Sequence, residues 1–273
     1  MRAFARCVPV AVCAAALILG PASLAGAHSF AVNTSGLSGL YVTTSGETLE
    51  AGTFVVGAGI LFADEGDIGY TTYTVPVTLT YALSDGLEGG LSMPVITDLD
   101  PDGGPSESSV GDLLVSLKYS VQKETEGLPS IAVGGRVKIP TADDEEGLGS
   151  GEVDLGLFAA LDKDLSGVRG YLNVEYFIVS EPDNGFPEQD QVNYAVGVGI
   201  PYKDNVDFGV ELLDQSFLTS PWVPGFPGLQ GDILLGSAYI DMPPSINLGL
   251  AVGFGLSEFA SDFLVGGKIS LRL

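Results

Sequence analysis

The chain has 273 residues, a formal net charge of −24 and a mean hydropathy of +0.33. Because such an acidic surface repels the phosphate backbone, a nucleic-acid partner is excluded. This combination of apolar and strongly acidic composition is unusual for a soluble protein. The apolar and the acidic residues must form separate surfaces.

The first 27 residues have the three parts of a secretory signal peptide. Arg2 and Arg6 precede an apolar run, Val8–Leu19, and the small residues Ala25–Ala27 follow. The pattern predicts export with cleavage before His28. The apolar run is shorter than the roughly 20 residues that a membrane-spanning helix needs, so it is not expected to be an anchor.

The exported chain is poor in the residues that most hydrolases use. Both cysteines, Cys7 and Cys13, lie within the predicted signal, and the single histidine, His28, stands at the expected new N-terminus. A disulfide, a thiol nucleophile and a positioned histidine base are therefore absent, and we expect no enzyme. Loss of Arg2 and Arg6 with the signal changes the formal charge to about −26.

Residues 28–50 are expected to form a periplasmic N-terminal segment, and residues 51–273 a transmembrane β-barrel. A barrel of this size is wide enough for a narrow pore, which its own side chains or residues 28–50 could block. Within 72–81, tyrosine, valine and leucine alternate with threonine and proline, so a strand here has one apolar and one hydroxyl-lined face. Twelve segments alternate in this way, each near the about 9 to 11 residues that a tilted strand needs to cross a membrane. They lie near 53–62, 70–82, 87–97, 110–121, 130–140, 152–161, 168–180, 192–202, 206–213, 231–240, 246–256 and 262–273.

The connections between these segments alternate between short and long. Tight ones include 84–86 and 203–205, whereas 98–109, 141–151 and 214–230 are long. Short periplasmic turns and long extracellular loops are typical of bacterial outer-membrane barrels. The sequence therefore predicts an all-β, antiparallel up-and-down barrel of about twelve strands in the outer membrane.

Aromatic residues on the predicted lipid face fall into two belts, as expected at the two membrane interfaces. The periplasmic belt contains Phe54, Tyr81, Tyr119, Tyr202, Phe208 and Tyr239, and the outer belt contains Phe62, Tyr73, Tyr176, Tyr194, Phe254 and Phe263. A soluble β-sandwich would also alternate, but it gives no reason for two aromatic belts.

Three motifs resemble one known family. The sequence reads GDLLVSLKY from Gly111, GGRVKIPT from Gly134 and GLGSG from Gly147, with Asp154 following. These motifs are similar to those of the MetA-pathway phenol-degradation family of outer-membrane barrel proteins. The resemblance implies a barrel and suggests uptake of small apolar or aromatic compounds.

Charged residues on the predicted inner face are candidates for setting solute selectivity. The same residues could instead form ion pairs that fill and rigidify the interior. The candidates are Asp112, Lys118, Arg136, Lys138, Glu152, Asp154, Arg169 and Glu175.

Two loops carry further candidates. Asp98, Asp100 and Asp102 form the opening of a calcium-loop pattern, but Ser109 stands where the bidentate glutamate belongs, so a plain acidic loop is the alternative. No other cofactor is expected. The apolar loop with Phe217, Trp222 and Phe226 could fold inward as a constriction or rest against the barrel rim.

Two functions remain open from the sequence. The first is a narrow or gated channel for small, aromatic or hydrophobic molecules. The second is a non-conducting structural or surface-interaction barrel whose acidic loops bind cations. In both cases the expected partners are outer-membrane lipid, lipopolysaccharide and the outer-membrane assembly machinery, and a channel adds a small-molecule solute.

Overall fold

The computed structural model describes residues 31–65, 70–101, 107–143, 148, 150–180, 190–214, 231–242, 245–257 and 260–273. These residues form one antiparallel sheet. Its strands are Phe54–Glu65 (β1), Tyr70–Ser84 (β2), Leu87–Pro101 (β3), Glu107–Ser109 (β4), Leu113–Gln122 (β5), Ser130–Ile139 (β6), Asp154–Asp164 (β7), Arg169–Ile178 (β8), Gln191–Lys203 (β9), Val206–Asp214 (β10), Asp232–Met242 (β11), Ile246–Gly255 (β12) and Phe263–Arg272 (β13).

The sheet closes into a barrel because β1 pairs with β13 as well as with β2. The pairing of β1 with β13 runs from Val55–Arg272 to Asp64–Phe263, so closure extends along the whole strand. A closed sheet leaves no unpaired edge in the hydrocarbon, where each unpaired backbone group is costly. The twelve predicted strands are confirmed, and the short β4 is an addition that pairs with β3.

The connections define two ends of the barrel. At the turn end, short links such as 85–86 and 204–205 join the strands, and Gly86 adopts a φ of 89°, which glycine reaches without steric cost. At the opposite loop end, the connection between β6 and β7 spans 140–153. No helix in the described part of the chain is long and apolar enough to cross a membrane.

The outer face carries the apolar members of each alternation, and its aromatic side chains pair across neighbouring strands. The ring centroids of Phe54 and Tyr81 are 6.2 Å apart at the turn end, and those of Phe62 and Tyr73 are 5.0 Å apart near the loop end. The prediction was wrong for Tyr239, which faces the interior with 1% of its surface exposed. Because β11 is apolar on both faces, its alternation does not reveal which side faces lipid.

Residues 31–50 enter the barrel interior, in contrast to the periplasmic position expected for 28–50, and only the last of them, Glu50, is exposed, at the turn end. We call 31–50 the inner segment. Leu37 is fully buried, and Val32, Tyr41 and Val42 are at most 3% exposed. The inner segment runs through irregular backbone stabilised by its own turns and by two isolated bridges, Val32–Ser38 and Gly39–Thr44. The barrel wall therefore surrounds a packed interior.

Candidate functional site

The wall of the barrel interior has two different halves. On β3 and β5–β8 it carries charged and polar side chains, including Glu88, Lys118, Arg136 and Asp162. On β9–β13 and β1 it is largely apolar and packs against Leu40, Tyr41 and Val42 of the inner segment. The inner segment thus fills a space that is polar on one side and apolar on the other.

In the polar half, a buried ion pair binds the inner segment near the turn end. Lys118 and Glu88 are fully buried, with Nζ and Oε1 3.1 Å apart. The Glu88 carboxylate accepts hydrogen bonds from the backbone N–H groups of Ser38 (2.7 Å) and Leu49 (2.9 Å). Lys118 donates to the carbonyls of Ser45 (3.2 Å) and Glu47 (2.7 Å). Each charge is therefore compensated by its partner and by the backbone of the inner segment.

Arg169 forms ion pairs with the inner segment, with the wall and with a neighbouring turn. Its guanidinium contacts the carboxylates of Glu47 (3.0 Å), Glu124 (2.9 Å) and Asp162. Oxygen atoms of these three acids lie within 4.8 Å of one another, which is also the spacing of a metal site. Because Arg169 already supplies a cation to all three, the cluster is best described as an arginine-centred ion-pair network.

Asn173 and Asp162 bind the next part of the inner segment through its backbone. The Asn173 amide accepts from the N–H of Thr44 (2.6 Å) and donates to its carbonyl (2.8 Å). Asp162 accepts from the N–H of Gly46 and from the hydroxyl of Ser45. Recognition of the inner segment therefore rests largely on its peptide groups.

In the apolar half, Glu211 and Lys268 bind opposite kinds of backbone group in the inner segment. Glu211 accepts from the N–H groups of Tyr41 (3.0 Å), Val42 (3.0 Å) and Thr43 (2.7 Å). Lys268 donates to the carbonyls of Val32 and Leu40, the latter at 3.3 Å. Its Nζ lies 4.9 Å from the ring centroid of Tyr41 and 5.3 Å from that of Tyr239.

The tyrosine of the inner segment is deeply enclosed by the wall. Burial, and then the Glu211 carboxylate, raises the pKa of the Tyr41 phenol above its ordinary value, so the ring stays uncharged. A cavity of ≈ 20 Å³ lies beside it, between the inner segment and the wall, and is lined in part by Lys268 and Thr78. That volume has room for about one water molecule.

A second layer of charges lies closer to the loop end. Arg136 pairs with Glu175 at 2.9 Å, and its guanidinium carbon lies 4.7 Å from the ring centroid of Phe158. Lys138 pairs with Asp154 at 2.5 Å and with Asp112 at 3.5 Å. Arg136 also donates to the hydroxyl of Ser35 in the inner segment, at 3.2 Å.

The structure places most of the predicted charged candidates in the interior and joins them as ion pairs. Buried and inward-facing are Asp112, Lys118, Arg136, Lys138, Asp154, Arg169 and Glu175. Glu152 differs, because it precedes β7 in the loop-end connection and its side chain is only half-buried. It forms no ion pair with any residue that the structure describes.

The other candidates lie at or beyond the loop end. Asp98 and Asp100 belong to β3, where their backbones pair with Tyr73 and Thr71 of β2. Asp102 lies outside the described residues, so the calcium site stays a prediction. The same is true of the constriction predicted at Phe217, Trp222 and Phe226, which also lie outside the described residues.

Sequence reasoning missed several residues that bind the inner segment. They are Glu88, Asp162, Asn173, Glu211 and Lys268. Each occupies an inward position of its strand, where an isolated charge or amide requires a partner. That requirement, together with the many Ser, Thr and Gly residues of 31–50, was the available signal.

The family model described as "Putative MetA-pathway of phenol degradation" matches residues 19–273. The chain belongs to this family. The match covers the whole barrel together with the inner segment, so the resemblance inferred from the three motifs is confirmed. No curated protein matches the chain in sequence.

Solved structures share the fold of this family member. The COG4313 outer membrane channel from Pseudomonas putida F1 has 15% sequence identity and a TM-score of 0.62, over 83% of this chain and 97% of that one. The KdgM porin has 6% identity and a TM-score of 0.53, over 80% and 99%. The NanC porin has 9% identity and a TM-score of 0.53, over 81% and 100%. The protein is thus an outer-membrane β-barrel, as the sequence predicted.

Proposed function

We propose that this family member is a gated passage for small molecules with an apolar or aromatic body across the outer membrane. The observation that carries the proposal is the nature of the material inside the barrel. The interior is filled by the inner segment, which is not one of the wall strands. It is bound chiefly through hydrogen bonds between wall side chains and its backbone. Such a segment can leave without disturbing the pairing of the wall strands.

The preference for apolar solutes follows from the wall that the inner segment covers. Leu213, Ile233, Leu235 and Leu264 are inward-facing and buried against it. If the inner segment moves aside, these side chains line the passage. Apolar surface in a narrow passage favours solutes that are themselves apolar, because both then leave contact with water.

The alternative is a closed structural barrel. The buried pairs Lys118–Glu88 and Arg136–Glu175 favour it, since breaking a buried ion pair is costly. Both descriptions predict the same closed state. They differ in whether the inner segment leaves, and an experiment that fixes it in place distinguishes them.

A disulfide between Thr43→Cys and Gly197→Cys provides that test. A Cβ atom added at Gly197 would lie 3.3 Å from Cγ2 and Oγ1 of Thr43. The sulfur of a cysteine at position 43 would take one of these γ positions, and in a disulfide the Cβ atom of one cysteine lies about 3 Å from the sulfur of the other. The chain from His28 onward has no cysteine of its own. We expect stepwise currents in planar bilayers from the wild type and the reduced pair, and none from the oxidised pair.

A disulfide within the wall is the matched control. Val252 and Val265 are register partners on the outer face of β12 and β13, so Val252→Cys with Val265→Cys joins wall to wall. This variant is expected to conduct whether oxidised or reduced. Current through the oxidised Thr43–Gly197 pair would contradict gating by the inner segment. Absence of both current and solute uptake in the wild type would contradict the passage itself.

A further inference from the structure

Two charges in the apolar half of the interior, Glu211 and Lys268, lack the ion pairs that the cations of the polar half have. Lys118, Arg136, Lys138 and Arg169 each contact a carboxylate. Within the described part of the chain, neither Glu211 nor Lys268 has a partner at ion-pair distance. Their compensation comes from the inner segment.

The groups that they bind are the two halves of the peptide bond. Glu211 accepts three consecutive N–H groups, from Tyr41, Val42 and Thr43. Lys268 donates to the carbonyls of Val32 and Leu40. The same region therefore contains one site that requires a hydrogen-bond donor and one that requires an acceptor, with the Tyr239 ring beside the lysine.

Departure of the inner segment removes all five of these peptide groups at once. The wall around the two charges includes Leu235 and Leu264, which cannot replace them. A charge without a hydrogen-bonding partner in apolar surroundings is strongly unfavourable. Water can replace the peptide groups, and a solute that displaces this water is favoured when it offers both a donor to Glu211 and an acceptor to Lys268.

The net charge of the solute follows from the same geometry. An anion would be attracted by Lys268 but repelled by Glu211. A cation would be attracted by Glu211 but repelled by Lys268. A neutral molecule that carries a donor and an acceptor satisfies both charges. Its apolar ring can then pack against Tyr239 and the neighbouring leucines.

We propose that Glu211 and Lys268, with Tyr239, determine specificity in the passage and bind a neutral molecule with a hydrogen-bond donor and acceptor on an apolar ring. This inference rests on the proposed passage. In the closed state, when no solute is present, the peptide groups of the inner segment occupy the site.

The test compares three probes of similar size, benzamide, benzoate and benzylammonium, for entry into liposomes that contain the protein, and the rate of each probe into protein-free liposomes is subtracted. In the wild type, benzamide is expected to enter roughly tenfold faster than either ion, as expected when a polar group of a site is left unpaired. Lys268→Met is expected to raise benzylammonium entry relative to benzoate. Glu211→Gln is expected to shift the ratio in the opposite direction.

Controls separate specificity from a structural effect. Lys203→Gln removes an exposed charge at the turn end, where Nζ lies 5.1 Å from the ring centroid of Tyr202, and it should leave the three rates in their wild-type ratio. The double variant Glu211→Gln with Lys268→Met has no net charge change and should lose the preference for benzamide over the two ions. If either single variant does not give a folded barrel, the double variant tests the inference in its place.

The outcomes distinguish the two proposals. If both single variants shift the benzoate-to-benzylammonium ratio in the same direction, or change all three rates equally, the specificity inference is overturned and the passage remains. If the wild type admits none of the three probes, the passage and the inference are both overturned.

Discussion

At the scale of single residues, glycine on the inner face determines how closely the inner segment can approach the wall. A Cβ atom at Gly266 would overlap the Tyr41 hydroxyl, and one at Gly90 would overlap the Gly36 carbonyl. The backbone of β13 therefore lies directly against the phenol. On the outer face, by contrast, a Cβ atom at Gly236 would meet nothing nearer than 3.9 Å.

Gly266→Ala is therefore expected to displace Tyr41 and loosen the inner segment. Overpacking of this kind typically costs about 1–3 kcal/mol. We expect a lower midpoint of unfolding in guanidinium and more frequent channel opening in bilayers. Gly236→Ala is the matched control, and both of its measurements should equal the wild type. Equal behaviour of the two variants would show that Tyr41 does not contribute to closure.

The charged positions of the interior were predictable one residue at a time, but their partners were not. Lys118 and Arg136 stand out because each occupies the polar side of an otherwise regular alternation. Their partners come from β3 and β8, and short-range patterns carry no information about such pairing. Tyr239 was misplaced for a related reason, since an apolar interior removes the contrast between the two faces of β11.

At the scale of elements, the strands and the inner segment differ in how much of their structure is encoded locally. Each strand has its own alternation, and the length of each suits a membrane crossing. The inner segment has no such period, and its contacts with Glu211 span 168 to 170 residues of sequence. Its position depends on a cavity that exists only after the strands have assembled.

Deletion of residues 31–50 is expected to leave a folded barrel with a permanently open passage. The strand pairing of the wall does not involve the inner segment, so heat-modifiable migration on a gel should persist. Stability should fall, because the Lys118–Glu88 pair loses its backbone partners. The measurement is single-channel conductance, with the oxidised Thr43–Gly197 pair as the closed reference. A folded deletion variant that passes no current would show that something else closes the barrel.

At the scale of the whole molecule, the two barrel ends should lie on opposite sides of the outer membrane. Ala142 belongs to the loop end, and Asn205 belongs to a tight turn at the other end. Short turns of such barrels face the periplasm. In intact cells, a membrane-impermeant maleimide is expected to label Ala142→Cys and to leave Asn205→Cys unlabelled. Permeabilised cells, in which both should react, provide the control, and the reverse pattern would invert the orientation.

Closure of the wall has a further consequence for how the protein is made. The inner segment leaves the ribosome before any strand, yet Lys268, which binds it, belongs to β13, the last strand to be synthesised. A sheet that is not yet closed has no enclosed interior in which the inner segment can pack. The inner segment is thus synthesised early and enclosed last, and an occupied interior indicates a completed barrel.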